Sequence, residues 1–183
     1  MNEHIKIGLI YGSTREGRFC DKVAAWASAQ IAGKAGFQVE AIDPAALSHK
    51  EDPNTLRRQI GECDAFVVVT PEYNHGYPAP LKSLIDSVGK EWQAKPVAFV
   101  SYGGVSGGLR AVEQLRQVFA ELHAVTVRDT VSFASAWEQF DANGVLLQPK
   151  RAEGSMAALL TQLQWWATAL RNARQSSPFM PSR

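Results

Sequence analysis

Apolar residues fall along the chain as short continuous runs separated by longer stretches with helical spacing. A mostly apolar run begins at Ile5 and ends in Gly12, and Ala65 to Thr70 and Val97 to Tyr102 are further runs of the same kind. Runs that are apolar on both faces predict central parallel strands covered by helices on each side. Phe37 to Ile42 alternates apolar and polar residues, which predicts a strand with one wetter side near a sheet edge. A last strand is predicted over about 123–133, split or bent around Arg128 and Asp129. Val23, Trp26, Ala27 and Ile31 recur at helical spacing ahead of Gly33 and Gly36, predicting a helix over about 17–34. Shorter helices are predicted over 55–63, from Pro80 through Val88, and over about 107–122. The final helix, about 153–173, places Met156, Leu159, Leu160, Leu163, Trp166, Ala167 and Leu170 on a broad apolar face. Residues 45–54 read as a surface connection, and 134–153 has no clean period, with a turn signal at Asp141 to Gly144.

Strands alternating with helices throughout predict an α/β fold: one parallel sheet of about five strands with helices on both faces. The 183 residues suit a single domain over 1–175, with 176–183 as a loose tail. The loops after the first, third and fourth strands open at the same carboxyl edge. In the order 2-1-3-4-5 those strands are neighbours, so one ligand can touch all three loops.

Composition narrows the ligand. A net charge of +1 with 45% apolar residues is not a nucleic-acid footprint, and no window approaches the roughly 18 apolar residues of a membrane span. Cys20 and Cys63 fit neither a disulfide framework nor a zinc site. The expectation is a cytoplasmic protein with no metal, no nucleic-acid partner and no membrane. Cys20 lies near a helix start, where a perturbed thiol can arise, but reads better as a small buried residue.

The first loop, Gly12-Ser-Thr-Arg-Glu-Gly-Arg18, lacks the Gly-Lys-Ser/Thr ending of a Walker motif and the GxGxxG spacing of a dinucleotide fingerprint. Hydroxyls, arginines and a helix N-terminus suit a terminal phosphate monoester, with Arg15 and Arg18 as fork-shaped ligands. The second loop, Pro71-Glu-Tyr-Asn-His-Gly-Tyr-Pro78, is rigid, aromatic and polar, and suits one edge of a flat heterocycle. Asn74 to Gly76 also reads as a plain turn, and His75 as an exposed polar residue. The third, Ser101-Tyr-Gly-Gly-Val-Ser-Gly-Gly108, holds four glycines that allow close approach of backbone to a flat ligand. Trp137, Trp165 and Trp166 read as core or interface groups.

Together these three stretches, the second running on through Asp86, resemble the NADPH-dependent FMN reductase family of flavodoxin-like proteins, and within it small quinone, azo-compound or chromate reductases. The resemblance covers about residues 5–125. It implies a flavodoxin-like three-layer sandwich and an FMN phosphate held by Ser13, Arg15 and Arg18, with Gly17 allowing the turn. It implies a ring laid against Pro71, Glu72, Tyr73 and Asn74, with Ser101, Gly103 and Gly104 near its polar end. It further implies a homodimer or homotetramer and a ping-pong reaction. NADPH or NADH would be the co-substrate, and the electrons would go to a quinone, azo compound, chromate or free flavin. No catalytic side chain is expected, because the flavin carries the chemistry. Two other classes fit parts of the pattern. A flavodoxin-type electron carrier lacks its own NAD(P)H site and tends to be strongly acidic, unlike this chain; a regulatory module would use the phosphate site without flavin.

Overall fold

The computed structural model describes residues 4–46, 53–177 and 179. Five strands form one parallel sheet in the order β2-β1-β3-β4-β5: β1 Ile5–Tyr11, β2 Phe37–Ile42, β3 Ala65–Pro71, β4 Pro96–Gly103 and β5 Val125–Ala134. The helices are α1 Cys20–Ala32, α2 Pro53–Glu62, α3 Ala79–Asp86, α4 Leu109–Glu121, α5 Ala136–Gln139 and α6 Pro149–Ser176, with a short 3-10 turn at Lys90–Trp92.

Successive side chains of a strand point to opposite faces, and the central strands use both. Ile7, Leu9, Val67, Val69, Ala98 and Val100 pack against Val23, Ala27 and Ile31 of α1 and Met156, Leu160 and Leu163 of α6. Ile10, Phe66, Val68, Val97 and Phe99 pack on the other side against Ile60, Leu81, Ile85, Leu115, Phe119 and Trp92. Every residue of β3 is buried, whereas β2 at the edge is buried only at its two ends. This is the three-layer flavodoxin-like arrangement that the sequence pattern and the resemblance predict.

Boundaries shift by a few residues. The first helix starts at Cys20 and not near Gly17, because Gly17 takes a left-handed φ of 61°, which a right-handed helix excludes. The last helix is longer than its apolar face suggests, beginning at Pro149 and ending at Ser176, so the expected tail loses its first residue to helix. Residues 178 and 180–183 of that tail, and 47–52 of the expected connection, lie outside the described residues. The predicted irregularity at Arg128 and Asp129 is a register shift: Val97 pairs with Thr126, but Phe99 pairs with Thr130. The 134–153 stretch holds α5 and an Asp141 turn in which the Val145 N–H donates to Asp141 Oδ1 at 2.8 Å. Among the described residues no helix is long and apolar enough to cross a membrane.

Candidate functional site

β1, β3 and β4 are adjacent, so the loops that leave their carboxyl ends converge. In the first loop the Gly12 N–H donates to the Val69 carbonyl at 2.7 Å. A Cβ at Gly12 would lie 2.6 Å from that oxygen, so only glycine lets the loop turn across the end of β3. Ser13 is fully buried, its Oγ 2.8 Å from the Tyr73 hydroxyl of the second loop. The backbone N–H groups of Thr14, Glu16 and Gly17 make no hydrogen bond among the described residues, leaving a row of donors ahead of α1.

The structure separates the two arginines that the sequence groups together. Arg15 is exposed, and its guanidinium carbon stands 3.6 Å over the Tyr73 ring, a cation–π contact that an anion can compete for. Arg18 is 10% exposed and committed elsewhere. Its Nη1 donates to Asp43 Oδ1 at 2.7 Å, its Nη2 pairs with Asp43 Oδ2, its Nε donates to Asp21 Oδ1 at 2.8 Å, and Nη1 also meets the Ser13 carbonyl. Burial pushes the Asp43 carboxyl up, but the Arg18 fork and the Ala45 N–H outweigh it and hold it below the usual carboxylate range. Arg18 therefore ties the loop to the end of β2.

The second loop closes on a two-residue turn. Tyr73 N–H donates to the Gly76 carbonyl at 2.9 Å and Gly76 N–H to the Tyr73 carbonyl at 3.1 Å. Asn74 and His75 between them are both left-handed, with φ of 51° and 68°. Pro71 ends β3 beside Tyr102. Glu72, with its side chain 6% exposed, reaches from this loop to the third. It accepts from the Ser106 hydroxyl at 2.7 Å, the Arg110 backbone N–H at 3.1 Å and the Arg110 guanidinium at 2.7 Å. Burial raises the Glu72 carboxyl, yet those three donors together leave it below its ordinary value. Because Arg110 is in the first turn of α4, Glu72 also supplies negative charge to that helix N-terminus.

The third loop splits its four glycines into two kinds. Gly103 is half-buried and Gly104 exposed, whereas Gly107 and Gly108 are buried and left-handed. A Cβ at Gly107 would fall 2.2 Å from Ser132 Oγ, and one at Gly108 2.8 Å from Ser101 Cβ. The inner pair is therefore small because its own strands are close, and only the outer pair offers backbone to a ligand. Ser101, expected near a ring, donates its hydroxyl to the Gly107 carbonyl at 2.8 Å, and Ser132 does the same at 2.9 Å. Cys20 is fully buried, and burial raises its thiol, so it is a packing residue.

Sequence reasoning missed Asp43, Ser106 and Arg110. Ser106 and Arg110 flank the inner glycines, and only the partner side chain Glu72, some thirty positions earlier, gives them a role. Two cavities elsewhere contain none of the predicted site residues. One, about 780 Å³, lies beside Arg128, Lys150 and Arg151, and the other, about 580 Å³, lies beside His123, Arg174 and Phe179. The three loops are the edge where unpaired N–H donors, outward glycines and an exposed arginine converge, the chemistry that a phosphorylated flat ligand requires.

Comparisons with known proteins bear on that edge. The model of a family described as NADPH-dependent FMN reductase matches residues 5–138, which include all three loops. An NAD(P)H-dependent FMN reductase of Schizosaccharomyces pombe is 35% identical over 130 residues, covering 62% of this chain and 64% of that protein, so the match spans a little under two thirds of its length. An NAD(P)H:quinone oxidoreductase of Solanum tuberosum is 30% identical over 177 residues, covering 85% of this chain and 90% of that one. Among solved structures, a flavoenzyme NAD(P)H:(acceptor) oxidoreductase of Paracoccus denitrificans superposes with a TM-score of 0.71 at 21% identity, over 90% of this chain and 98% of that one. At that identity the superposition speaks for the fold.

Proposed function

The chain belongs to the NADPH-dependent FMN reductase family, and from that premise we propose that it is an FMN-dependent NAD(P)H oxidoreductase whose cofactor occupies the three-loop edge. One observation carries the assignment of the edge: the loops after β1, β3 and β4 are bonded to one another through Ser13–Tyr73 and Glu72–Ser106–Arg110, and the family match spans them all.

In this reading the N–H groups of Thr14, Glu16 and Gly17, the Ser13 hydroxyl and Arg15 hold the phosphate. Arg18 acts one step removed, by fixing the Ser13 carbonyl and Asp43. Pro71, Glu72, Tyr73 and Asn74 offer backbone along one ring edge, and Gly103 and Gly104 offer backbone N–H groups to negative charge at the polar end. Ser101 and Glu72 shape those loops with their side chains. FMN, when bound, supplies the hydride and electron transfer that no side chain here provides.

We further propose a ping-pong order, in which NAD(P)H and a small-molecule acceptor use the same open face in turn. A quinone is the leading acceptor, with azo compounds, chromate and free flavin as others of the same use. A homodimer or homotetramer is supported by exposed Val145, Leu147 and Trp165. Two unpaired buried cysteines support a reducing, cytoplasmic setting. The test is anaerobic mixing of the FMN-loaded protein with NADPH. Bleaching of the oxidised-flavin absorbance and its return on adding a quinone is the expected result. A flavin that stays oxidised would return the chain to the electron-carrier class.

A further inference from the structure

Beside the outward glycines stands an aromatic side chain that the family motifs do not include. α5 is anchored from within by Ala136 and Phe140, which are 1% and 4% exposed. Phe140 packs edge-on against Phe133 and Phe19, with ring centroids 5.1 and 5.7 Å away. With those two positions turned inward, Trp137 is turned outward and is 60% exposed. Its Cη2 lies 3.8 Å from where a Cβ of Gly104 would be. The turn leading into α5 is fastened to the same glycine: Ser135, left-handed at φ 46°, donates its N–H to the Gly104 carbonyl at 2.9 Å. Strained residues of this kind persist where surrounding structure over-determines them, and they cluster at ligand sites. Val105 on the same loop and Leu109 at the start of α4 are also exposed.

Charge on this edge narrows the ligand. The guanidinium of Arg110 is bound to Glu72 and that of Arg18 to Asp43, and the exposed Arg15, stacked on Tyr73, belongs to the phosphate loop in the proposed reading, so the cations of this edge are committed before an acceptor arrives. A flat apolar wall with its neighbouring cations neutralised favours a planar, uncharged aromatic molecule. We propose that Trp137 is the acceptor-specifying wall of the site, receiving a planar acceptor of the quinone class on its indole; the proposal rests on FMN occupying the three-loop edge. The overall balance closes: NAD(P)H loses a hydride, solvent supplies one proton, and the quinone leaves as its hydroquinone.

The experiment uses the FMN-loaded full chain and its Trp137→Ala and Trp137→Phe variants. FMN occupancy is first read from the absorbance spectrum, and the rate of anaerobic reduction by NADPH is recorded. KM is then measured for 1,4-naphthoquinone, which is planar, and for ferricyanide, which is octahedral. Binding of unsubstituted coumarin, a planar uncharged ligand that is not an electron acceptor here, is followed by calorimetry. Trp137→Ala is expected to raise the naphthoquinone KM and the coumarin Kd about tenfold and to leave ferricyanide within about twofold, and Trp137→Phe to restore most of the loss. Unchanged planar-ligand affinity in the alanine variant, or an equal loss for ferricyanide, would overturn the proposal. A change in the variant's mass by sedimentation would instead make Trp137 an interface residue and overturn it too. If the unaltered chain takes up no FMN, the parent reading fails before any acceptor is added.

Discussion

Arg15 and Arg18 show how two like residues three positions apart acquire different work. Arg18 is nearly buried and divided among Asp43, Asp21 and the Ser13 carbonyl, so Arg18→Ala strands Asp43 without its partner. Hydrogen bonds to charged groups are worth about 1.5–3 kcal/mol, and a loss of that order should appear in urea unfolding. Arg15 rests only on the face of Tyr73, so Arg15→Ala should leave the unfolding midpoint unchanged and weaken FMN binding about tenfold in a fluorescence titration. Glu72 adds a pH dependence. Its folded carboxyl titrates below its ordinary value, so the stability it adds is complete above about pH 4.3, the usual glutamate value, and drains away as pH falls through the lower folded value. Glu72→Gln should flatten the acid limb of an unfolding-against-pH curve. An unchanged limb would show that the carboxylate does not join the two loops in solution.

At the scale of elements, the glycine loop ahead of α4 and the turn ahead of α5 hold the edge open. Gly107 and Gly108 are left-handed and too crowded for a Cβ. Gly107→Ala should therefore combine backbone strain of about 1–3 kcal/mol with overpacking of about 1–3 kcal/mol. Gly17 is also left-handed but has nothing within 4 Å of its Cβ position, so Gly17→Ala should cost only the strain, about 1–2 kcal/mol. Denaturant midpoints of the two variants measure the difference. The predicted helices and strands survive with small shifts because their apolar periods match their burial. The 134–153 stretch was illegible for the opposite reason: α5 is four residues long and is held by Phe140 packing and the Ser135–Gly104 bond, neither of which leaves a period.

At the scale of the whole molecule, the end of the sheet opposite the site carries its own electrostatics. Lys95, 5% exposed, donates its ammonium to the Ile60 and Gly61 carbonyls at 2.7 and 2.8 Å, capping the last turn of α2. Burial, with nearby Arg174 adding to it, pushes this lysine down to about 8 from 10.5. Between those two values the unfolded chain binds a proton that the folded chain does not, so stability should rise with pH across that window. Below the folded value the cost of burying the charge is present in full. Lys95→Met should abolish the rise, seen as a constant urea midpoint where the unaltered chain's midpoint increases. At the other end of the sheet, the loops that the sequence nominated do converge, because β1, β3 and β4 are neighbours.

The sequence by itself determined the α/β class, the strand positions and which loops carry unusual chemistry. Burial on two faces forces continuous apolar runs, and left-handed or crowded backbone forces glycine, so both leave local marks. What only the tertiary structure decided is the division of labour among those residues: Arg18 given to Asp43, Ser101 to the Gly107 carbonyl, Glu72 to Ser106 and Arg110, and Trp137 set against Gly104. Each of these is a contact between side chains or loops far apart in the chain, and no local period or spacing encodes which partner a charged or hydroxyl group will meet.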